Sequence, residues 1–393
     1  MKNNIKIAVV VSHPIQHFCP QYANWAKVQG IELKVFFGST LGSVKYVDPQ
    51  FNKEISFGNL YLDEFNHEFL NGNQLLQSTP KLDAPNLNER LNEFKPNLVI
   101  HYGYGHKLVK RARTWAIKNN IKLAFISDSE HRRKRPFWKE MLKIPYLYFL
   151  FKKEDYFLTV GNANEAYYKY YGVANKKLLR MHFPIDIKNY EIAYQNKATL
   201  NNSYRQKLGI NENEIVIAVV GKVLTFKSQN HLIDVVKNLE KSLPNKKIHL
   251  LIVGSGAQEL EFKEIAKTVT KNKVHFLGFV MPIELPEIYA ATNIYIQPSL
   301  MDAHSLSVSE AIYLGCSAIV ANTTGSWGET DDVQMGKNGF VYQYGNINEL
   351  ESQIINIIEE EKLLQFEKYS LEISKKFQQQ SHFGIMENLK NKF

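Results

Sequence analysis

The stretch EIVIAVVGKV (residues 214–223) decides the fold, because it repeats a pattern that already opens the chain as IKIAVVVSHP (residues 5–14). Each stretch contains a short run that is apolar on both faces, as strands buried in a parallel sheet are. In each stretch the apolar run gives way to small or polar residues, which marks the start of a loop. Two such openings, about two hundred residues apart, predict two domains of the same kind.

Strand-like runs alternate with longer helical patterns throughout both halves of the chain. The runs lie at residues 5–11, 31–37, 97–103, 122–127, 156–161 and 178–183, and again at 214–221, 248–254, 274–280, 294–299 and 317–322. The helical stretches between them supply the crossovers that parallel strands require. We therefore predict an α/β fold with two doubly wound Rossmann-like domains that face a central cleft, with ligands at the carboxyl ends of the strands.

A polar stretch at about residues 186–213, centred on YQNKATLNNS, separates the two series of strands. Domain boundaries fall in such segments, where few apolar residues are available for a core. The predicted domains are residues 1–190 and 205–365. A helical segment without a following strand, residues 366–393, completes the chain, and we expect it to pack back on the first domain.

Composition limits the class of protein and the class of partner. The chain has 393 residues, of which 44% are hydrophobic and 22% are charged, and its net charge of +9 favours anionic partners. Its two cysteines, Cys19 and Cys316, give neither a disulfide framework nor a metal-ligand spacing, which indicates a reducing compartment. No signal peptide or membrane-spanning run is evident. We expect a cytoplasmic protein, with peripheral attachment to the inner face of a membrane as an alternative.

The positive charge is concentrated in HRRKRPFWKEMLKIPYLYFLFKK (residues 131–153), which holds eight Lys/Arg residues and one Glu. Cations beside aromatic residues suit an anionic membrane surface or a lipid-diphosphate acceptor. The alternative is that the aromatics belong to the core and the arginines are solvated. Pro136 and Pro145 argue against one long amphipathic helix. Nucleic acid is not a predicted partner, because no nucleic-acid-binding motif accompanies the charge.

Two glycine-containing turns follow strands in the second half. In GKVLTFKSQNHL (221–232), Gly221 lets the chain turn close to a ligand, and Lys222 and Lys227 precede a predicted helix that begins near Ser228. Two ammonium groups before a helix N-terminus suit a diphosphate, although two solvated lysines are the alternative. The second turn, IVGSG with Gly254, lacks the third glycine of a dinucleotide fingerprint, which counts against a nicotinamide enzyme.

A pair of acids marks the stretch PSLMDAHSLSVSEAIYLG (298–315). Asp302 is expected in the loop after a strand, and Glu310 in the early turns of a helix that Ser305 or Ser307 caps and Gly315 ends. Free backbone amides near the helix start would lie beside the two carboxylates. Alternatively, Asp302 is a turn residue and Glu310 a solvated helix residue.

In this order, the motifs of the second half resemble the donor domain of glycosyltransferase family 4, retaining enzymes of the GT-B fold. The resemblance covers about residues 214–345 and rests on Gly221-Lys222 with Lys227, IVGSG, FLGFV, the Asp302…Glu310 pair and TTGSWGE (323–329). This chain departs from the family where Lys222 replaces Arg, Ser228 replaces Gly, and Asp302-Ala303-His304-Ser305 replaces Glu-x-Phe-Gly. These departures leave the identity of the donor sugar open.

The resemblance implies a role for each matching residue. Lys222 and Lys227 would hold the diphosphate of the donor, Glu310 the ribose and Asp302 the donor sugar. The remaining donor-side residues are Gly221 and Gly254 in the turns, Phe279 and Val280 beside the base, and His304, Ser305 and Leu306, whose amides would meet the sugar or the distal phosphate. No metal ion and no separate cofactor are implied, because lysines and helix amides can balance the leaving-group charge.

The first half resembles a bacterial subset of the same family that begins with His-Pro-Ile-Gln. His13, Gln16 and His17, in the loop after the first strand, and His106, in GYGHKLVKRA (103–112), are the candidate acceptor-side residues. Hydrogen-bonded structural histidines are the alternative, above all for His17. Asp128, at the end of another strand, is the candidate contact to the acceptor hydroxyl, with an N-cap or turn role as the alternative. We expect Asp128, Asp302 and Lys227 to form the catalytic set, without an enzymatic nucleophile.

The sequence therefore predicts a retaining glycosyltransferase that uses a UDP-, GDP- or ADP-sugar and a glycan or lipid-linked acceptor, in bacterial surface polysaccharide or glycolipid synthesis. A GT-B-fold sugar-nucleotide epimerase is the first alternative, because it would act on the same donor without an acceptor. A non-catalytic protein that binds anionic glycans or lipids on the same scaffold is the second alternative. The base, the sugar, the acceptor, the linkage and the oligomeric state are not determined by the sequence.

Overall fold

The computed structural model describes residues 4–44, 46–48, 53–55, 59–132, 137–359 and 362–393. This part of the chain divides into two units. Unit 1 comprises residues 1–160, 164–186 and 377–393, and unit 2 comprises residues 161–163 and 187–376. The predicted domain limits at residues 190, 205 and 365 stay predictions.

Unit 1 is built on a parallel sheet of seven strands in the order β5-β2-β1-β6-β7-β8-β9. These strands are β1 (Ile5–Val11), β2 (Ile31–Phe37), β5 (His67–Phe69), β6 (Leu98–Tyr102), β7 (Lys122–Ile126), β8 (Tyr156–Thr159) and β9 (Leu178–Arg180). A separate antiparallel pair is formed by β3 (Tyr46–Asp48) and β4 (Lys53–Ile55). The last five residues of β1 are buried because helices cover both faces of the sheet there.

The helices of unit 1 are α1 (Cys19–Trp25), α2 (Leu87–Phe94), α3 (Lys107–Lys118), α4 (Phe137–Lys152), α5 (Asn162–Tyr170) and the C-terminal α14 (Ile385–Lys390). A π-helical turn, Gln380–Gly384, precedes α14 and packs against α1. There the side chains of Gln21 and Trp25 both donate hydrogen bonds to the carbonyl oxygen of Ser381. These buried hydrogen bonds fix the end of the chain to the first sheet.

Unit 2 is built on a parallel sheet of six strands in the order β12-β11-β10-β13-β14-β15. Its strands are β10 (Ile215–Val220), β11 (Ile248–Val253), β12 (Lys273–Gly278), β13 (Ile294–Gln297), β14 (Ser317–Ala321) and β15 (Gly339–Tyr342). Its helices are α6 (Ile187–Gln195), α7 (Lys197–Leu208), α8 (Asn230–Ser242), α9 (Glu259–Ala266), α10 (Leu285–Ala291), α11 (Leu306–Tyr313), α12 (Ile347–Glu359) and α13 (Lys362–Gln379).

The prediction of an α/β fold with two doubly wound parallel sheets is confirmed. Every predicted strand-like run contains a strand, but the sequence pattern did not single out β3, β4, β5 and β15, which are three or four residues long. The polar stretch around residues 186–213 is not a loop, since it forms α6 and α7. In the sequence, Pro145 argues against one long amphipathic helix; the 16-residue helix α4 runs through Pro145, and Pro136 lies outside the described residues. No helix in the described ranges is long and apolar enough to cross a membrane.

Candidate functional site

The order of strands in unit 2 defines where a ligand is expected. Successive strands are added on one side of β10 up to β12, and β13 then begins the other side. At such a reversal the loops that follow the two central strands diverge and leave a crevice at their carboxyl ends. The loops concerned are residues 221–229, after β10, and residues 298–305, after β13. They contain both predicted lysines and Asp302.

The glycines of IVGSG allow the loop after β11 to lie directly on the loop after β10. A Cβ atom added to Gly254 would lie 2.0 Å from the carbonyl oxygen of Gly221, and one added to Gly256 would lie 2.1 Å from that of Val223. Gly254 also has a φ of +129° and Gly221 a φ of +153°, which side chains other than glycine rarely adopt. Gly221 and Gly254, both predicted as ligand-binding residues, therefore shape the backbone on which Lys222 and Lys227 stand.

A 3₁₀ turn, Thr225–Lys227, places Lys227. The next residue, Ser228, occupies the position where the family pattern has glycine, and its φ of 53° lies in the left-handed region. Its hydroxyl group lies 2.9 Å from the hydroxyl of Tyr344, and this contact helps to hold the conformation. Helix α8 begins at Asn230, two residues later than predicted.

Lys227 and Asp302 form an ion pair across the reversal point. The distance from Lys227 Nζ to Asp302 Oδ2 is 2.8 Å, and the two side chains are 22% and 15% exposed. Gln297, the last residue of β13, donates a second hydrogen bond to the same carboxylate oxygen at 2.7 Å. The structure thus brings together two residues that the sequence placed 75 positions apart. An ammonium group that binds a carboxylate can also bind a ligand phosphate, because both present anionic oxygen acceptors.

A chain of hydrogen bonds connects this pair with the start of α11. The hydroxyl group of Tyr295 donates a hydrogen bond to Gln297 Oε1 (2.9 Å). The same hydroxyl lies 2.6 Å from the hydroxyl of Ser307. Ser307 in turn contacts the hydroxyl of Ser305 at 2.9 Å. Ser305 is the residue before α11, but its side chain makes no capping hydrogen bond. The predicted serine cap is therefore wrong, because the serine hydroxyls belong to this network instead.

The loop that contains TTGSWGE lies against the loop that contains Asp302. A Cβ atom on Gly325 would lie only 1.5 Å from the carbonyl oxygen of Ala303, and the Gly325 amide donates to the Asp302 carbonyl at 2.8 Å. The Ser305 amide donates to the hydroxyl of Ser326 at 2.7 Å. Of the backbone amides predicted to meet a ligand, that of Ser305 is thus already engaged. The amide of Leu306 opens α11.

His304 is buried and turned towards the same neighbouring loop. Its Nε2 lies 3.0 Å from Asp332 Oδ2, which also accepts a hydrogen bond from Ser309 at 2.6 Å. Burial alone would lower the pKa of His304, but the hydrogen bond with Asp332 and the charges of nearby aspartates outweigh it and raise the pKa above the ordinary value. Its side chain therefore anchors the 302–305 loop with a charge-assisted contact.

Glu310 is buried in the second turn of α11, and its Oε2 accepts a hydrogen bond from the hydroxyl of Tyr289 at 3.0 Å. Burial raises the pKa of Tyr289 well above its usual value, and the charge of Glu310 raises it further, so the tyrosine stays a donor. Glu310 is therefore buried, and the alternative that it is a solvated helix residue is wrong. Lys222, Phe279 and Val280 are each partly buried, in the loops after β10 and β12.

Unit 1 has its own reversal point, between β1 and β6. The loops that follow these strands carry His13 and His106 respectively. His13 Nδ1 lies 2.9 Å from the Ser12 hydroxyl, and His106 Nε2 lies 3.2 Å from that of Ser78. Burial lowers the pKa of His13 to about 4, with a contribution from His106, and burial also lowers the pKa of His106. Both imidazoles are therefore neutral near pH 7.

The other acceptor-side candidates have different surroundings. His17 stacks on Phe183 and packs against Phe18, and burial lowers its pKa to about 3, which fits a structural role. Gln16 places its buried side-chain oxygen where no donor from the described residues reaches it. Asp128 is exposed after the end of β7, next to the Ser127–Tyr168 contact of 3.0 Å. Of these two predicted site residues, Asp128 has an exposed side chain, whereas the side-chain oxygen of Gln16 is buried.

Several residues of the unit 2 site were missed by sequence reasoning. Gln297, Tyr295, Asp332 and Ser326 all belong to the networks described above, and only Gln297 gave a signal, as a polar residue in an apolar strand. Within the described ranges no group of three or more His, Cys, Asp or Glu side chains could hold a metal ion. Cys19 and Cys316 are buried, and burial raises the pKa of each thiol to about 12. Neither thiol is a reactive nucleophile.

Comparison with known proteins assigns the segment that carries this site. Residues 201–372 match the family described as Glycosyl transferases group 1. The chain is 27% identical to an uncharacterized glycosyltransferase of Methanocaldococcus jannaschii over 69% of its own length and 61% of the relative's. It is 26% identical to the alpha-monoglucosyldiacylglycerol synthase of Acholeplasma laidlawii over 44% of its length and 42% of that enzyme's. The chain thus spans less than two thirds of the length of these curated relatives.

Solved structures share the fold over nearly the whole chain. HepE of Anabaena, solved in complex with UDP-glucose, aligns with 99% of this chain and 100% of its own, with a TM-score of 0.66 and 17% identity. UDP-GlcNAc 2-epimerase of Neisseria meningitidis, bound to UDP-GlcNAc, aligns with 98% of this chain and 100% of its own, with a TM-score of 0.60 and 13% identity. The predicted GT-B fold is confirmed. Residues 201–372, which match the glycosyltransferase group 1 family, include the predicted donor-side residues from Gly221 to Glu310.

Proposed function

We propose that this chain is a retaining glycosyltransferase of family 4, which moves a sugar from a nucleoside diphosphate sugar to a hydroxyl group of a glycan or lipid-linked acceptor. The observation that carries the proposal is the Lys227–Asp302 ion pair at the reversal point of the second sheet. It joins a cation suited to a phosphate and an acid suited to sugar hydroxyls in one place. A matching buried acid, Glu310, lies in the helix that follows.

In this proposal, lysines bind the diphosphate of the donor, and acidic residues bind its sugar and its ribose. Lys222 and Lys227 neutralise the diphosphate, and Lys227 exchanges Asp302 for a phosphate oxygen when the donor binds. Asp302, held by Gln297, then accepts hydrogen bonds from hydroxyls of the sugar. Glu310 accepts hydrogen bonds from the ribose, and Phe279 and Val280 lie beside the base. His304 and Ser305 keep the 302–305 loop in place through Asp332 and Ser326.

The proposed reaction breaks the bond between the anomeric carbon and the distal phosphate oxygen and forms a bond from that carbon to the acceptor oxygen. The acceptor proton passes to an oxygen of the leaving phosphate on the same face of the sugar, so the anomeric configuration is retained. Lysine charges stabilise the negative charge that develops on the leaving group. No metal ion is required in this scheme, and no protein side chain acts as a nucleophile.

The acceptor contacts are proposed to come from unit 1. Neutral imidazoles of His13 and His106 can donate or accept a hydrogen bond with an uncharged hydroxyl, because their pKa values lie below the usual range. Gln16 offers an unsatisfied amide oxygen, and Asp128 is proposed to contact the reacting hydroxyl. Synthesis of a bacterial surface polysaccharide or glycolipid is the setting that we propose. The glycolipid synthase among the relatives is in accord with a lipid-linked acceptor.

The first test of this proposal is the effect of nucleoside diphosphates on thermal unfolding. A ligand at 100 times its dissociation constant stabilises the folded state by about 2.7 kcal/mol. We expect UDP to raise the melting temperature, since HepE was solved with UDP-glucose, and GDP and ADP are tested in parallel. Uridine, which lacks the diphosphate, is the matched control and should give a much smaller shift. If no nucleoside diphosphate shifts the melting curve, the donor site is assigned wrongly.

The second test separates the proposed transfer from epimerisation, because an epimerase shares this fold. The protein is incubated with the nucleotide sugar that binds best, with and without an extract of acceptor glycans and lipids. A transferase releases nucleoside diphosphate faster when the acceptor is present and adds the labelled sugar to it. Conversion of the nucleotide sugar to its epimer without any acceptor would identify an epimerase. Binding without either product would favour a non-catalytic protein.

A further inference from the structure

Helix α4 (Phe137–Lys152) exposes an unusual amount of apolar surface. Eight large apolar or aromatic side chains on this one helix are 39% to 79% exposed: Phe137, Trp138, Met141, Leu142, Ile144, Tyr146, Tyr148 and Phe149. Single exposed apolar residues are normal on protein surfaces, but a contiguous group of this size indicates a binding surface. We call this group the outer face of α4.

The inner side of the same helix is polar over its first half. The hydroxyl of Tyr171 donates a hydrogen bond to Glu140, and the ammonium group of Lys143 lies 4.9 Å and 5.3 Å from the ring centres of Tyr167 and Tyr171. Buried apolar residues appear only in the second half, as Leu147, Leu150 and Phe151. In the first half of α4, Glu140 and Lys143 therefore face the protein, whereas the apolar side chains and Lys139 face outward.

Positive charge accompanies the outer face. Lys139, Lys152 and Lys153 are exposed at its two ends, whereas Glu140 is engaged with Tyr171. A surface that combines aromatic rings with cations matches the chemistry of an anionic membrane, where rings enter the headgroup region and lysines contact lipid phosphates.

We infer that the outer face of α4 lies on the surface of an anionic membrane, with the helix in the plane of the interface. A second copy of the chain is a poorer occupant, because a two-fold contact would bring the same cations together. Helix α4 has 16 residues, and none of the described helices is long and apolar enough to cross a bilayer. This inference stands apart from the proposed transfer reaction, because it uses only residues of α4 and its neighbours.

The experiment measures co-sedimentation of the full chain with lipid vesicles. One set of vesicles contains phosphatidylcholine alone and the other contains phosphatidylcholine with phosphatidylglycerol. We expect binding to the anionic vesicles only, with loss of binding as salt is raised. The double variant Trp138→Ser/Phe149→Ser should bind at least about tenfold more weakly, because two rings no longer leave water. Lys139→Gln should weaken binding by roughly fivefold.

A matched control is the double variant Leu260→Ser/Leu364→Ser, which removes two apolar side chains that are 79% and 76% exposed on helices of unit 2. It should bind anionic vesicles as the wild type does. Trp138 also reports directly, because its emission should shift to shorter wavelength with anionic vesicles, and Trp138→Phe should remove most of that shift. Equal sedimentation with both kinds of vesicle, or unchanged binding of the Trp138→Ser/Phe149→Ser variant, would overturn the inference. A dimer that this variant dissociates, without vesicle binding by the wild type, would overturn it as well.

Discussion

The two sheets of this protein share one architecture, but the side chains at one reversal point are charged and those at the other are neutral. In unit 2, the loops after β10 and β13 hold an ammonium–carboxylate pair, Lys227 and Asp302. In unit 1, the loops after β1 and β6 hold His13 and His106, whose pKa values are lowered and which are neutral near pH 7. A charged diphosphate suits the first arrangement and an uncharged hydroxyl suits the second. We propose that this difference between the loop residues, on one shared fold, selects two kinds of ligand.

The largest expected effect concerns the charged side of this comparison. Lys227→Ala removes the cation proposed to stabilise the leaving phosphate, and we expect kcat to fall by about 10²–10³-fold. Lys227→Arg keeps the charge and should retain part of the activity. The measurement is the rate of nucleoside diphosphate release with the sugar donor identified in the binding screen.

Lys237 on α8 offers the matched control for this change, because it is an exposed lysine of the same unit. Lys237→Ala should keep the wild-type rate and melting temperature. If Lys227→Ala also keeps the wild-type rate, Lys227 does not take part in the reaction. The difference in charge between the two sheets would then not explain a difference in function.

A smaller effect is expected from a change in the backbone that supports the charged side. Gly325→Ala would place a Cβ atom against the carbonyl oxygen of Ala303, so the 302–305 loop must move. We expect the free energy of unfolding to fall by about 3 kcal/mol, with a weaker thermal shift by nucleoside diphosphate. Chemical denaturation and the nucleotide melting assay measure the two quantities.

Gly105→Ala, in the loop after β6 of unit 1, is the corresponding control. Nothing lies within 4 Å of a Cβ atom at that position. It should change the free energy of unfolding by no more than about 0.5 kcal/mol. Equal destabilisation by the two substitutions would mean that the contact between residues 303 and 325 does not hold the loop.

The smallest expected effect concerns the protonation of the histidines in the two units. The pKa of His304 is raised, so its contribution to stability is present below pH 6.5 and is lost as pH rises through its folded-state value. The pKa of His13 is lowered to about 4, so stability is lost as pH falls from 6.5 towards 4. A nuclear magnetic resonance titration of the ring signals should show His304 changing above pH 6.5 and His13 below pH 5.

Asp332→Asn tests the cause of the raised His304 pKa, because it removes the carboxylate that contacts His304. The His304 titration should then move to lower pH, while that of His13 stays where it was. A His304 signal that titrates at pH 6.5 in both proteins would contradict the described contact.

Much of the fold was predictable because buried parallel strands have a simple pattern. Runs such as IKIAVVV and EIVIAVV are apolar on both faces, and each forms a central strand. Strand β5 (His67–Phe69) was not predicted, because two of its three residues are polar and it forms no apolar run. Pro145 argued against one long amphipathic helix, yet α4 continues through it, because one missing amide donor is not enough to end this helix. The polar helices α6 and α7 were missed because their composition resembles that of a loop.

The sequence by itself determined the residue types that the donor site needs and their order along the chain: Lys222, Lys227, Asp302 and Glu310 in the pattern of a known family. The tertiary structure decided which of them meet. Strand order brought Lys227 to Asp302. Glycines at positions 254, 256 and 325 let two pairs of loops touch, and contacts between distant segments added Gln297, Asp332 and Ser326. The physical reason is that local preferences extend over a few residues, whereas a site at the edge of a parallel sheet is assembled from loops far apart in sequence.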